Sequence, residues 1–526
     1  MPLAPLTVEQ QLARLCEQGD PGLLLRGRVG LEKESLRVAK SGGLAQTPHP
    51  AGLGSALTHP WITTDYSEAL LELVTPPFPD PGQALEFLRE LHTYVYRQLD
   101  EEILWSTSMP CVLAGGDNIP VARYGSSNAG QMKTIYRVGL GYRYGRVMQV
   151  IAGVHYNYSF ADEFWPMYQQ LLGEQGDLRA FTDARYMGLV RNLQRYGWLI
   201  PYLFGASPAV CKSFFLGKTP GLEVFDETTF YEPWATSLRM GDIGYQNRRE
   251  EGMGIKANYD GLEDYVASLY QATHTSALLW EELGVKVNGE YRQLNANILQ
   301  IENEYYSSVR PKQILQDNET PSMALTRDGI AYVELRSLDV NAYHPLGVDQ
   351  RQLCFLQTFM SWCLLHASPR ISLSERREID RNILKVAHEG RRPGLELVHE
   401  GESVPLSGWG TELLNAMQPV AKVLDEQAGD GRFQQALDEQ IEKMRDPELT
   451  PSGIMLSEMR ENGEGFYQFA RRLSQMQCNY FSKQALADAS LLRLDELTLE
   501  SMARQKHIEE ADSMDLDSYL AAYFAQ

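Results

Sequence analysis

The sequence predicts an α+β fold, in which a mixed unit of strands and helices is followed by a mainly helical region. Four runs read as strands, at residues 28–37, 69–75, 146–159 and 330–338, and 294–306 is a fifth candidate. Helical patterns such as 81–99 lie between them without a regular βαβ repeat. Beyond about residue 375, stretches such as "LLNAMQPVAKVLDEQ" carry apolar residues at helical spacing. We therefore predict an α+β unit over residues 1–375 and a mostly helical region over 376–526 that packs on it.

Length and charge limit the classes of partner. The chain has 526 residues, of which 43% are apolar, which is enough for a sizeable core. Lys and Arg number 48 against 69 Asp and Glu, so the net charge is −21. An acidic surface of this kind disfavours nucleic acid and anionic membranes as partners. A phosphorylated ligand would have to be bound locally, by metal ions or by a few placed arginines.

Cysteine usage and the termini predict a cytoplasmic protein. The cysteines are widely scattered and include no C-x-x-C pair, so we expect reduced thiols at all of them: Cys16, Cys111, Cys211, Cys354, Cys363 and Cys478. The first residues, "MPLAPLTVEQQLARL", lack the basic region and apolar run of a signal peptide. The most apolar stretch, residues 196–211, is too short and too broken by Gly and Pro to span a bilayer.

Familiar nucleotide-binding loops are not found. Gly217, Lys218 and Thr219 resemble the end of a P-loop, but that motif needs a glycine five residues earlier, where Lys212 stands. No G-x-G-x-x-G follows a predicted strand. If the protein uses ATP, another architecture binds it.

The first predicted strand carries two carboxylates on one face. In "VGLEKESLR", Glu32 and Glu34 are separated by one residue, so on a strand they point the same way, about 6.5–7 Å apart. Two carboxylates at that distance repel by roughly 2.5 kcal/mol at an effective dielectric near 20. A cation above them would remove the repulsion. The alternative is an ordinary charged edge of a sheet, and the other strands decide between the two.

Two further predicted strands separate a polar face from an apolar face, and a third carries a carboxylate inside an apolar run. In residues 146–159, one face carries the side chains of Gln149, Ile151, His155, Asn157 and Ser159. In residues 330–338, Glu334 and Arg336 share a face while the other face is apolar. Glu72 lies within the apolar run of residues 69–75, shortly after Asp65, and has no basic neighbour in its own strand.

Together these strands offer oxygen ligands and one imidazole, a set that suits Mg²⁺ or Mn²⁺ better than zinc. Ligand oxygens lie about 2.1 Å from a Mg²⁺ ion and hence at most about 4.2 Å from each other. Strand neighbours such as Glu32 and Glu34 are too far apart to chelate one ion readily. We therefore predict that they serve two ions, an arrangement used in phosphoryl chemistry.

Longer motifs carry a resemblance to a known family. The combination of Glu-x-Glu, His-x-Asn and Glu-x-Arg resembles the carboxylate–amine ligases that have the glutamine-synthetase-type catalytic fold. Several longer segments are similar to segments of the bacterial type 1 glutamate–cysteine ligases. They are "GLEKESLRV", "LGSALTHPWITTDYSEALLELVTP", "GVHYNYS", "ATSLRMGDIGY", "LQIENEYYSSVRPK" and "RSLDVN". The resemblance extends from about residue 25 to about residue 400 and is looser over the C-terminal helices. It implies a glutamine-synthetase-like catalytic unit whose mainly antiparallel sheet forms the active-site funnel, with helices around it.

The activity that the resemblance implies is ATP-dependent ligation. The γ-carboxyl group of L-glutamate would be phosphorylated by ATP, and the amine of L-cysteine would then displace phosphate to give γ-glutamylcysteine, the first step of glutathione synthesis. ATP is thus a co-substrate, and Mg²⁺ or Mn²⁺ would be bound as two or more ions. Glutathione is expected as a feedback inhibitor, and the protein is expected to be a monomer that binds neither nucleic acid nor membrane.

The resemblance also implies roles for individual residues. The metal nearer the ATP phosphates would be held by Glu32, His155 and Glu334, and the metal nearer the glutamate by Glu34, Glu72 and Asp65.

Basic residues would bind the anionic groups of the substrates. Arg239 and Arg137 resemble residues that bind carboxylate or phosphate, for which a bidentate guanidinium is suited. Arg336 would lie beside the transferring phosphate and offset its developing negative charge. Arg310 and Lys312 in "VRPK" are further candidates for phosphate contact.

The remaining assignments concern substrate binding. Tyr136, Tyr245 and Tyr306 would line the cysteine pocket, although ordinary core or surface tyrosines are common in a chain that has 27 of them. Three residues of the 146–159 run complete the predicted substrate-binding set, namely Gln149, Ile151 and Asn157.

Three other functions remain open at this point. A ligase of this class could join glutamate to ammonia or an alkylamine instead of cysteine. A two-metal hydrolase would also use carboxylates and His, but the strand-borne Glu-x-Arg argues against it. A non-catalytic homologue is the third alternative, although each expected metal ligand is present.

Overall fold

The central element is a seven-stranded antiparallel sheet. The structure, a computed structural model, describes residues 6–244, 256–316 and 319–526. Its strands are β1 Arg28–Ala39, β2 Ile62–Thr64, β3 Leu70–Val74, β4 Glu102–Leu104, β5 Val154–Ser159, β6 Ala209–Cys211, β7 Glu223–Val224, β8 Thr229–Tyr231, β9 Lys286–Val287, β10 Glu290–Tyr291, β11 Val309–Lys312, β12 Tyr332–Leu338, β13 Glu396–His399 and β14 Glu402–Pro405. The order in the main sheet is β11-β12-β5-β1-β3-β2, and β4 pairs with the end of β1. Each of these pairs is antiparallel, which confirms the predicted α+β class.

Helices cover one side of the sheet and make up most of the C-terminal region. They are α1 Val8–Gln18, α2 Gly22–Leu25, α3 Pro81–Gln98, α4 Asn128–Tyr144, α5 Phe164–Leu172, α6 Leu178–Tyr196, α7 Leu199–Phe204, α8 Leu262–His274, α9 Leu278–Leu283, α10 Pro321–Asp328, α11 Gln350–Leu365, α12 Leu373–Glu389, α13 Leu406–Ala428, α14 Arg432–Arg445, α15 Pro451–Asn462, α16 Phe466–Phe481, α17 Asp488–Ala511 and α18 Leu516–Phe524. α3 begins at a typical start signal, because the Asp80 side chain accepts a hydrogen bond from the Gly82 amide and Pro81 follows it. It packs against β1 and β3.

Alternation along the strands separates a core face from a polar face. On β1, Val29 and Leu31 are fully buried among apolar residues. On β12, Val333 and Leu335 belong to the same core. The residues between them, including the predicted glutamates, point to the opposite side of the sheet. The apolar face therefore anchors the sheet to the helices and leaves the polar face for a site.

The predicted strand over 146–159 is wrong in its first half. The strand begins only at Val154, while Met148–Val150 form a 3₁₀ turn. α4 ends at Tyr144, and its C-cap Gly145 has a φ of 91°. Only two residues separate this cap from the 3₁₀ turn, so no extended segment fits between them. Gln149 and Ile151 thus do not share a strand face with His155.

The fifth strand candidate, residues 294–306, is not a strand. Its regular structure is a 3₁₀ turn at Glu302–Glu304 and an isolated bridge between Ser276 and Asn297. Side-chain amides compete with the backbone here: the Asn295 side chain accepts from the Asn297 amide at 3.0 Å and donates to the Gln300 carbonyl at 2.9 Å. Such local bonds favour turns over a ladder.

The expectation that all six cysteines are reduced is also wrong. Cys111 and Cys211 form a disulfide, although 100 residues separate them in the sequence. β6 brings Cys211 beside the loop that contains Cys111, with the two Cα atoms 5.3 Å apart. The pairing depends on tertiary contact, which cysteine spacing cannot reveal.

The C-terminal region consists of helices and one hairpin. The hairpin is β13–β14, and helices α13 to α18 follow it. The predicted division at residue 375 falls inside α12 and stays a prediction. Within the described ranges, none of the helices has the length and apolar character needed to cross a membrane.

Candidate active site on the polar face of the sheet

Strand register brings the predicted carboxylates together. Glu32 lies opposite His155 on β5, and Glu34 lies opposite Glu72 on β3. Residues directly opposite each other in an antiparallel pair project from the same face, with Cβ atoms about 4.5–5.5 Å apart. One further pairing sets Asn157 opposite Glu334, so β12 adds its carboxylate to the same surface.

Hydrogen bonds order the middle of this surface. Glu32 accepts from the Asn157 side-chain amide at 2.8 Å, and its other oxygen lies 2.9 Å from His155 Nδ1. The same ring nitrogen is 3.4 Å from Glu334 Oε1. Glu34 accepts from the Gly153 amide at 2.6 Å, and its second oxygen is 3.9 Å from His155 Nε2. The imidazole therefore lies at the centre of three carboxylates.

The donor set fits a hard divalent cation. One donor atom from each of Glu32, Glu72 and His155 lies within 4.8 Å of the others. Among the described residues, Glu334 Oε2 and Asn157 Oδ1 are buried without a hydrogen-bond partner, so ligand lone pairs remain in the same region. Carboxylate oxygens with one imidazole suit Mg²⁺ or Mn²⁺. The residues thus fit the predicted metals, and Glu72 groups with Glu32 and His155 as well as pairing with Glu34 in the strand register.

The electrostatics divide the surface into two halves. Burial, together with the nearby charges of Glu32, Asp65 and Glu34, raises the pKa of Glu72 well above its usual range. Burial also raises the pKa of Glu34. Carboxylates with raised pKa values are those that gain most from a shared cation.

The other half is basic. Burial acts to raise the pKa of Glu334, but the charges of Lys312 and Arg336 hold it well below its usual range. The Arg336 guanidinium donates to Glu334 Oε1 at 2.9 Å, and Lys312 Nζ is 3.5 Å from Glu334 Oε2. Arg310 pairs with Glu334 in the register of β11 and β12 and donates to the Asn303 carbonyl at 3.0 Å. Positive charge is therefore concentrated at the β11–β12 edge of the polar face.

Two more arginines border the surface. Arg239 donates to the Arg336 carbonyl at 2.9 Å, and its guanidinium is 3.7 Å from Asp339, which is fully buried. Arg137 donates to the Asp65 carbonyl, and its guanidinium lies 4.0 Å from the Asp65 carboxylate. Both arginines predicted to bind anions thus lie next to the carboxylate cluster, one at each side.

Gly153 is a residue of the site that sequence reasoning missed. A Cβ atom at this position would overlap the guanidinium of Arg239. The close approach of backbone and guanidinium therefore requires glycine. The available signal was a glycine immediately before the His-x-Asn strand.

Replacing Gly153 by Ala should displace Arg239 and lower kcat/KM for ligation by at least about tenfold, because small displacements of positioning groups are costly in catalysis. Steady-state kinetics would measure the effect. Gly188→Ala is the matched control, since its Cβ would make an ordinary contact of 3.5 Å with Ser368 and would not touch Arg239. Equal kinetics for Gly153→Ala and wild type would contradict the assigned place of Arg239.

A small cavity of about 70 Å³ adjoins the basic half of the surface. Its lining comprises Tyr136, Leu140, Tyr144, Met148, Gln149, Asn303, Glu304, Tyr306, Arg310 and Arg336. Helix α4 supplies one wall, and the segment over 294–306 supplies the other. The cavity is therefore amphipathic, with aromatic rings and a buried carboxylate close to Arg336.

A buried ion pair joins the two walls. Arg143 on α4 donates to Glu304 at 2.9 Å, and both side chains are completely buried. Glu304 also accepts from the Tyr144 hydroxyl at 2.7 Å and from the Gln300 amide at 2.7 Å. Sequence reasoning identified none of these four residues as part of the site, because Arg143 and Glu304 are 161 positions apart and their pairing depends on tertiary contact.

Of the predicted substrate-binding residues, Asn157 bonds Glu32 on the polar face and Arg137 lies beside Asp65, and the others occupy different places. Tyr136, Tyr306 and Gln149 line the cavity. Ile151 is buried in the hydrophobic core, with 1% of its surface exposed. Tyr245 lies outside the described residues.

Comparison of the sequence with known proteins finds similarity to the glutamate–cysteine ligases. The family model described as glutamate-cysteine ligase matches residues 12–386. A curated glutamate–cysteine ligase of Alcanivorax borkumensis is 46% identical over 523 residues, covering 98% of this chain and 99% of that protein. The ligase of Pseudomonas fluorescens strain Pf0-1 is 44% identical over 518 residues, covering 98% and 97%.

Solved structures agree with the sequence comparison. The crystal structure of a glutamate–cysteine ligase from Francisella tularensis, in complex with AMP, superimposes with a TM-score of 0.89 at 34% identity, covering 95% of this chain and 98% of that one. A bifunctional glutathione synthetase from Pasteurella multocida has a TM-score of 0.69 at 24% identity, covering 93% of this chain and 57% of that one, and shows the fold alone.

Proposed function

Since this chain belongs to the glutamate–cysteine ligase family, we propose that the polar face of its sheet joins the γ-carboxyl group of L-glutamate to the amine of L-cysteine at the expense of ATP. The observation that carries the proposal is the strand register. It sets Glu32 opposite His155 and Glu34 opposite Glu72, next to Arg336 and beside a small amphipathic cavity.

Divalent cations would be held by the carboxylate cluster. We assign Glu32, His155 and Glu334 to the ion nearer the phosphates of ATP, and Glu34, Glu72 and Asp65 to the ion nearer glutamate. Bound Mg²⁺ or Mn²⁺ would neutralise phosphate charge and relieve the repulsion among these carboxylates. The raised pKa of Glu72, caused by burial and by its acidic neighbours, supports a demand for positive charge at this place.

The basic half would receive the transferring phosphoryl group. ATP phosphorylates the γ-carboxylate, so an oxygen of glutamate becomes bonded to phosphorus and ADP departs. Arg336 donates to Glu334 at 2.9 Å, which holds its guanidinium beside the carboxylate cluster. Arg239, Arg310 and Lys312 border the same region and would stabilise the negative charge that develops on the phosphoryl oxygens.

The small cavity would hold the acceptor amino acid. The amine of cysteine attacks the γ-carbonyl carbon of γ-glutamyl phosphate, the C–N bond forms, and phosphate leaves with the bridging oxygen. The thiol takes no part in bond formation and serves as a recognition group beside Tyr136 and Tyr306. Tyr136, Tyr306 and Arg336 line the cavity, and a compact amino acid such as cysteine would lie among them.

The proposal extends to conditions and partners. We assign the protein to the cytoplasm and propose that it acts as a monomer. Glutathione contains the γ-glutamylcysteine unit and would compete for the glutamate and cysteine sites, giving feedback inhibition.

Release of ADP tests the function directly. We expect release to require both glutamate and cysteine, and to be slow with glutamate plus ammonia or an alkylamine. Glutamate labelled with ¹⁸O in its γ-carboxylate should transfer one labelled oxygen to phosphate. ADP release that needs no amino acid would indicate a phosphohydrolase, and unlabelled phosphate would exclude the acyl phosphate.

Replacing the thiol of the substrate by a methyl group should weaken ligation without abolishing it. Loss of one favourable contact of this size in a pocket lowers transition-state stabilisation by about 1–3 kcal/mol. The value of kcat/KM for 2-aminobutyrate should therefore be roughly 10–200-fold below that for cysteine. Steady-state assays with both amino acids measure the ratio, and glycine, which lacks the side chain, is the comparison. Complete inertness of 2-aminobutyrate would give the thiol a chemical role and contradict the mechanism.

A further inference from the structure

The last helix of the chain, α18, packs on the outer side of the wall that α4 supplies to the small cavity. Leu520 on α18 has only 5% of its surface exposed. It forms a separate apolar cluster with Met132 and Ile135 of α4 and with Leu294. This cluster is distinct from the main core of the protein. α18 thus contacts both segments that enclose the cavity.

Tyr136 connects this cluster to the cavity. It packs against the cluster that contains Leu520, and it also lines the cavity. It lies one residue after Ile135 and four after Met132, so these side chains occupy one side of α4. The place of the Tyr136 ring therefore depends on what fills the space behind it.

Polar contacts fasten the segment before α18 to the beginning of α4. The Ser126 amide donates to Glu509 at 2.8 Å, and the Asn128 amide donates to Asp512 at 2.5 Å. The Asn128 side chain donates to the Met514 carbonyl at 2.8 Å. Because Asn128 is the first residue of α4, the C-terminal segment satisfies donors that a helix start leaves open.

A second set of contacts fastens α18 to the other wall. Asp517, in the first turn of α18, accepts from the Tyr291 hydroxyl and from Lys286 at 3.1 Å. Both partners belong to the β9–β10 hairpin, which leads into the segment that carries Glu304 and Tyr306. The C-terminal helix therefore bridges the two walls from outside, as the Arg143–Glu304 pair joins them inside.

From these contacts we propose that α18 is a positioning element for the acceptor amino acid, and that Leu520 is its main positioning residue. By filling the space behind Tyr136, Leu520 would hold the tyrosine ring where it shapes the cavity. Loss of this packing would let the ring retreat and enlarge the cavity, while the carboxylate cluster on the sheet stays in place. The inference rests on the proposed assignment of this cavity to cysteine.

The test compares four variants of the full-length protein: Leu520→Ala, Leu520→Met, Ala521→Ser and Tyr136→Ala. Leu520→Ala removes the packing, Leu520→Met retains most of its volume, and Ala521→Ser changes an exposed residue of the same helix. Tyr136→Ala removes the ring itself. For each variant, kcat, the KM values for cysteine, glutamate and ATP, and the Tm are measured.

We expect Leu520→Ala to raise the KM for cysteine by about fivefold or more, with kcat and the other two KM values within about twofold of wild type. Leu520→Met should restore most of the affinity, and Ala521→Ser should match wild type. A lower Tm with an unchanged KM for cysteine would show that α18 is structural only and would overturn the inference. An unchanged KM for cysteine in Tyr136→Ala would instead overturn the assignment of the cavity, and the role of α18 with it.

Discussion

Removal of divalent cations should abolish ligation, and Mg²⁺ or Mn²⁺ should restore it. The carboxylate cluster provides the reason, because Glu32, Glu34 and Glu72 lie on one face around a single imidazole. The measurement is ADP release by enzyme that has been stripped with chelator and transferred to metal-free buffer. Ligation by the stripped enzyme with metal-free ATP would exclude the metal-dependent mechanism.

Because ATP itself binds Mg²⁺, loss of activity on chelation does not show which partner needs the ion. A protein variant is therefore needed to separate the Mg²⁺ requirement of the enzyme from that of ATP. Glu72→Gln should raise the Mg²⁺ concentration for half-maximal activity by roughly 10–100-fold, the effect expected when a ligand or its close support is lost. Glu68→Gln is the matched control, since this nearby buried carboxylate accepts from the backbone amides of His49 and Arg123 instead. It should lower stability and leave the Mg²⁺ requirement unchanged. An equal Mg²⁺ requirement in Glu72→Gln and wild type would remove Glu72 from the ligand set.

Replacing Arg336 by Lys should lower kcat by about 10²-fold or more, which corresponds to at least about 2.7 kcal/mol of transition-state stabilisation. Lysine keeps the charge but cannot hold Glu334 and face the phosphoryl group at the same time, as the guanidinium can. Single-turnover measurements of ADP formation would locate the loss in the chemical step. A change confined to the KM for cysteine would place Arg336 away from the phosphate.

Arg391→Lys provides the control for this substitution. Arg391 is a buried arginine that also makes forked contacts, donating to Glu448 at 2.7 Å and to the Pro233 carbonyl at 2.6 Å. These contacts lie outside the polar face of the sheet. The variant should lower the Tm and leave kcat near that of wild type. A similar loss of kcat in both variants would indicate that the fall in Arg336→Lys comes from general destabilisation.

The alternation of polar and apolar side chains along the chain explains why β1 and β12 could be predicted. In each strand the side chains follow a period of two, so Glu32 with Glu34, and Glu334 with Arg336, had to share a face once the segment was extended. Longer motifs then identified the family, which the comparisons confirm.

The same reasoning failed where local chemistry or distant contact overrode the pattern. Residues 294–306 contain apolar and aromatic residues typical of strands, but the Asn295 side chain bonds its own neighbours and turns the chain. Cys111 and Cys211 carry no local signal for their pairing.

The sequence by itself determined the fold class, the family and the kinds of chemical group in the site, because these depend on residue type and on spacing within one segment. Only the tertiary structure decided which groups meet. The register of β1 with β5 and β3 brought Glu32 to His155 and Glu34 to Glu72. Packing placed Tyr136 and Leu520 of α18 on one apolar cluster and brought Gly153 close to Arg239. The physical reason is that such contacts join residues far apart in the chain, and their free energy comes from burial and pairing that exist only after the chain has folded.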